Sequence, residues 1–106
     1  MTYRGHKILE RSINVNGPEI KHTVAMKECA ELIQAISKAL RGQLDRDNLV
    51  EEIADVGICI DMLRLIYKIN TDEIDRCRSK KIERQQWRDD DLIAALKEGK
   101  NANKDD

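Results

Sequence analysis

The sequence predicts an all-α fold, an antiparallel bundle of about four helices whose core is completed by homo-oligomerisation. The 106 residues are 41% hydrophobic yet contain no Phe, one Trp and two Tyr, so any core is built from Ile, Leu, Val, Met and Ala, a set that favours helices over sheets. Five Gly and one Pro are too few for an all-β chain, which needs a turn signal every eight to twelve residues or so. Long stretches repeat their apolar residues at intervals of three and four, the period of a helix with one buried face.

Residues 1–14 carry a weak amphipathic pattern through Ile8, Leu9 and Ile13 and predict a short helix that stops before Asn14. Asn16-Gly17-Pro18 is a strong breaker. From Glu19 to Arg41, Val24, Ala25, Cys29, Leu32, Ile33, Ile36 and Leu40 predict a long helix closed by Gly42. Gln43 to Asp47 is a polar connection of the length that joins antiparallel helices, with Asp45, Asp47 or Asn48 able to cap the next helix. From Asp47 to Asn70 the pattern is helical and apolar over most of the circumference, including Leu49, Ile53, Val56, Ile58, Ile60, Leu63 and Ile66. So small a chain has too few helices to cover that surface, and a dimer or tetramer with this helix at its centre is expected. Thr71 is read as the cap of a third long helix reaching Gln86, and Asp89 to Asp91 as the start of a short last helix through Leu92, Ile93 and Leu96 to Gly99. The organisation expected is one helical domain over 1–99 and a polar, frayed tail over 100–106.

Nineteen basic and twenty acidic residues give a net charge of -1, and no basic block suits a duplex, so no nucleic-acid partner is expected. No run approaches the roughly 18 apolar residues of a membrane span, and Arg4, His6 and Lys7 are not followed by the apolar run of a signal peptide. The expected location is cytoplasmic, without membrane attachment. Cys29, Cys59 and Cys77 are odd in number and lack CxxC spacing; Cys29 and Cys59 are read as small core hydrophobes in a reducing compartment.

The chemistry rests on two acidic pairs, Glu28-x-x-Glu31 and Glu52-x-x-Asp55. Residues three apart differ by about 60° around a helix, so each pair shares a face, and Glu28 and Glu52 border the apolar stripes. Across a short antiparallel loop the two pairs can face each other. Carboxylates clustered beside an apolar face repel one another unless a cation neutralises them, and an all-oxygen set suits Mg²⁺, with Mn²⁺ as a substitute. A di-iron carboxylate site would require Glu-x-x-His pairs, and neither His6 nor His22 follows a candidate Glu by three. The same acids also read as solvated residues on exposed helix faces, and spacing alone leaves the two readings level.

The run Glu28-Cys29-Ala30-Glu31-Leu32-Ile33-Gln34, followed after a gap by Glu51-Glu52-Ile53-Ala54-Asp55-Val56, resembles the signature of the MazG-like all-α nucleotide pyrophosphohydrolases, a superfamily that includes the dimeric dUTPases. The similarity extends from Val24 to Arg84. It implies a MazG-like helical domain whose Mg²⁺ ligands and catalytic acids are Glu28, Glu31, Glu52 and Asp55, with the general base open among them. It implies hydrolysis of a (deoxy)nucleoside triphosphate to the monophosphate and pyrophosphate, a reaction suited to clearing unwanted nucleotides. By position, Lys80, Lys81 and Arg84 match the basic end of the family's third conserved helix and are candidate phosphate contacts; they read equally as a solvated basic face. Lys27 departs from the pattern, since many relatives carry an additional Glu there. The competing expectation is a non-catalytic helical protein that oligomerises or senses a nucleotide.

Overall fold

Helix starts and stops follow from local chemistry. In the computed structural model, which describes residues 1–105 and the side chains of residues 1–99, the chain forms α1 (Tyr3–Asn16), α2 (Pro18–Leu40), α3 (Arg46–Tyr67) and α4 (Thr71–Asp105). The fold is all-α, 89% helical, with no strand among the described residues. Two compact units divide the chain, Met1–Ile69 and Asn70–Asp106.

In the first unit, the Thr2 hydroxyl accepts from the Gly5 N–H at 3.0 Å and caps α1. The helix continues past the predicted stop before Asn14, because nothing in Asn14 or Val15 breaks it and the Asn16 amide donates back to the Ser12 carbonyl at 2.9 Å. The break comes at Gly17, whose φ of 91° and ψ of 148° lie close to a region that only glycine adopts readily. Pro18 then takes the first position of α2, where its missing N–H is not needed. At the other end Gly42, with φ of 77°, turns the chain out. Of the three candidate caps for α3, Asp45 is the one used, accepting from the Asn48 N–H at 3.1 Å. α3 ends earlier than predicted, at Tyr67, because Lys68 adopts the left-handed conformation and its N–H returns to Arg64 and Leu65.

α2 and α3 form the main packing pair, and α1 lies against both. Two contacts give their sense: His22, early in α2, meets Tyr67 at the end of α3, while Glu31, further along α2, meets Glu52 near the start of α3. The helices are therefore antiparallel.

Their shared core is thin. Only Ala25, Ala35 and Cys59 are buried among the described residues. Cys29, read from the sequence as a core residue, is exposed. Much of the predicted stripe of α2 also faces outward, with Ile33 66% and Leu40 88% exposed, and on α3 Ile53, Ile58 and Ile60 do the same. One partner helix covers one side of an apolar cylinder, and the remaining sides stay open.

The second unit is a single helix. Asn70, not Thr71, is its cap: the Asn70 side-chain oxygen accepts from the Asp72 N–H at 2.8 Å, and the Glu73 carboxylate accepts from the Asn70 N–H at 2.8 Å. The two bonds together satisfy the Asp72 N–H and the Asn70 N–H at the helix start. The expected division into a helix ending at Gln86 and a separate one from Asp89 is not found. No Gly or Pro lies between Thr71 and Glu98, and the Gln85 amide donates to Asp89 at 2.9 Å along the continuous helix. The expected tail over 100–106 lies outside the described side chains, and Asp106 outside the described residues altogether. No described helix is long and apolar enough to cross a membrane.

Candidate metal centre

The i, i+3 spacing that places Glu28 and Glu31 on one face of α2, and Glu52 and Asp55 on one face of α3, becomes a site because the two helices run antiparallel. Glu28, Glu31 and Glu52 each present a carboxylate oxygen such that all three oxygens lie within 4.8 Å of one another, and all three residues are half-buried. Asp55 is also half-buried and lines a recess together with Glu28. It stands outside the converging trio; its side chain is one methylene shorter than those of the three glutamates.

A pin at one end of the helix pair holds this register. The His22 ring meets Tyr67 edge to face, with centroids 5.5 Å apart, and His22 Nε2 lies 2.6 Å from the Tyr67 hydroxyl. His22 Nδ1 lies 2.6 Å from the Pro18 carbonyl, which only accepts, so Nδ1 carries the proton. In the neutral ring Nε2 then accepts from Tyr67. Nothing in the spacing of His22 and Tyr67, 45 residues apart, announces this contact.

The electrostatics of the trio are unfavourable as they stand. One oxygen each of Glu28 and Glu52 is shut off from solvent and meets no hydrogen-bond donor. A buried polar atom without a partner is costly, and more so when it shares a charge. No ion pair relieves it: among the described residues the ion pairs are His6 with Glu10, Lys7 with Glu10, and Arg64 with Asp61. Burial pushes the Glu28 carboxyl above its ordinary range, with the adjoining Glu31 carboxyl and the charges of Asp55 and Glu52 adding to it. Burial likewise raises Glu52, reinforced by Glu31, Asp55 and Glu51. Oxygen-only donors at this separation fit a hard divalent cation such as Mg²⁺ or Mn²⁺.

Cys59, the buried neighbour of the site, is not an activated nucleophile. Burial raises its thiol pKa, and the charge of Glu28 raises it further. The basic candidates Lys80, Lys81 and Arg84 lie on α4, all exposed, within about 100° of one another around that helix. A residue the acidic motifs do not flag is Lys21, which lines the same recess as Glu28 and Asp55. The signal that could have found it is its position seven residues before Glu28, on the same face of α2. Comparison of the chain with protein-family models, with curated proteins and with solved structures finds no match.

Proposed function

We propose that the protein is a Mg²⁺-dependent nucleoside triphosphate pyrophosphohydrolase that converts a (d)NTP and water into the monophosphate and pyrophosphate. The observation that carries this reading is the convergence of Glu28, Glu31 and Glu52, with two solvent-excluded oxygens that lack a partner and no ion pair to the trio among the described residues. The order of the acidic motifs, and their resemblance to the MazG-like enzymes, supplies the reaction class.

In this reading Glu28, Glu31 and Glu52 hold the cation. A hard divalent ion bound there supplies charge neutralisation on the phosphates and a lowered pKa for attacking water. Asp55, beside the trio but not converging with it, keeps a carboxylate free to accept the proton of that water as the anhydride between the α and β phosphates is cleaved. By the resemblance alone, Lys80, Lys81 and Arg84 are the candidate phosphate contacts. Clearing of unwanted nucleotides is the role such an activity fits.

The experiment is a panel of (d)NTPs incubated with the protein and Mg²⁺, with products separated by ion exchange. Monophosphate and pyrophosphate in equal amounts are expected. Absence of hydrolysis across the panel, or orthophosphate alone, overturns the reading and leaves the non-catalytic alternative, an oligomerising or nucleotide-sensing helical protein.

A further inference from the structure

Between α2 and α3, next to the carboxylate trio, lies a recess of about 120 Å³. Its lining follows one face of each helix. Lys21, Val24 and Glu28 stand at i, i+3 and i+7 on α2; Asp55, Ile58 and Met62 stand at the same intervals on α3, with Cys59 beside them. Because the helices are antiparallel, the order along the recess is fixed. Glu28 and Asp55 mark one end, and Lys21 and Met62 mark the other, about 10 Å away at 1.5 Å of rise per residue. Apolar side chains form the stretch between.

Lys21 has no carboxylate within ion-pair distance among the described residues, although Glu28 and Asp55 line the same recess. Its ammonium group offers three donors and no acceptor. The volume is well below the roughly 300 Å³ at which pockets for whole drug-sized ligands begin, so one ring-sized portion of a ligand fits and a complete nucleotide does not. The carboxylate end is suited to the cation and its phosphates. What remains is an apolar-walled slot with Lys21 among the lining residues of its far end, and this suits a flat heteroaromatic ring with acceptors on its far edge.

We infer that the recess between α2 and α3 is the nucleoside subsite, and that Lys21 is a specificity-determining residue which donates to a carbonyl or ring-nitrogen acceptor of the base. The inference rests on the proposed nucleotide pyrophosphohydrolase reading. It adds a ligand class to that reading: bases that turn a keto oxygen toward Lys21 are favoured over those that turn an amino group there, because an ammonium cannot accept a hydrogen bond.

The test measures binding as well as turnover, using the full chain with Mg²⁺. Dissociation constants are determined for the four common (d)NTPs and for inorganic tripolyphosphate, which has the phosphates but no base. Lys21→Met is expected to weaken binding of the preferred keto-base nucleotide about tenfold, the loss of one charge-assisted hydrogen bond, and to leave tripolyphosphate unchanged. Lys21→Arg should recover most of the affinity, and Lys27→Met, an exposed change on the same helix, should have no effect. Ile58→Trp, at a position 44% exposed and thus tolerant of bulk, should block the nucleotide while sparing tripolyphosphate. Equal weakening of nucleotide and tripolyphosphate by Lys21→Met makes Lys21 a phosphate contact and overturns the inference; so does no weakening of either. Nucleotide binding with the Lys21 dependence but without hydrolysis defeats the enzyme reading alone. A wild-type protein that neither binds nor hydrolyses nucleotides defeats both.

Discussion

Glu28 and Glu52 each hold one oxygen away from water with no donor to meet it, and the consequences differ with and without a cation. In a chelator, Glu52→Gln removes a charge from a crowded cluster, so the melting temperature should stay level or rise. With Mg²⁺ the same variant should lose the cation-induced increase in melting temperature that mass action gives the wild type, and turnover should drop about 100-fold or more. An amide variant that keeps both the Mg²⁺ response and the activity removes Glu52 from the site. The raised carboxyls of Glu28 and Glu52 also set a pH dependence. The folded protein holds these protons more tightly than the unfolded chain, so their contribution is fully present below the ordinary glutamate range and is lost as pH rises through the raised values. Thermal melts of the metal-free protein should therefore show a decline across that window that is shallower in a Glu28→Gln, Glu52→Gln double variant; identical profiles would contradict the assignment.

At the level of elements, the positions of the breaks matter more than helix propensity. Gly17 links α1 to α2 with a backbone that an alanine strains, and no neighbouring atom lies within 4 Å of an added Cβ. Gly17→Ala is thus a pure backbone test, expected to cost about 1–3 kcal/mol in urea unfolding. A neutral result would mean that the turn relaxes into another conformation. The helices themselves were legible from their 3.6-residue period, and the Asn16-Gly17-Pro18 and Gly42 breaks from their residue types. The finer choices were not. Asn70 displaces Thr71 as the cap of α4 because its side chain accepts from the Asp72 N–H while its own N–H donates to the Glu73 carboxylate, and Asp89 to Asp91 stay inside α4 because three acids without a Gly or Pro do not stop a helix that is already formed.

For the whole molecule the decisive quantity is apolar surface. With three buried residues among those described and outward-facing Ile33, Ile36 and Leu40 on α2 and Ile53 and Ile60 on α3, a lone copy leaves large apolar side chains exposed on both helices. We propose a second copy as its cover: the same chain offers apolar faces on both helices, and a net charge of -1 opposes their approach little. Light scattering should give a dimer or tetramer, and the melting temperature should rise with protein concentration. The double change Ile33→Lys, Ile36→Lys should shift the population to monomer and abolish that concentration dependence. A wild-type monomer whose melting temperature ignores concentration would refute the assembly.

The sequence by itself determined the first three helices, the short link at Gly42 and the side of each helix on which Glu28, Glu31, Glu52 and Asp55 stand, since all of these depend on residues near one another in the chain. Only the tertiary structure decided which carboxylates converge, that Asp55 stands beside the trio, that two oxygens lack partners, and that Lys21 and Met62 close the far end of the recess. Those facts depend on the register between α2 and α3. A shift of a residue or two along that pair would leave every local signal unchanged and take the three carboxylates apart.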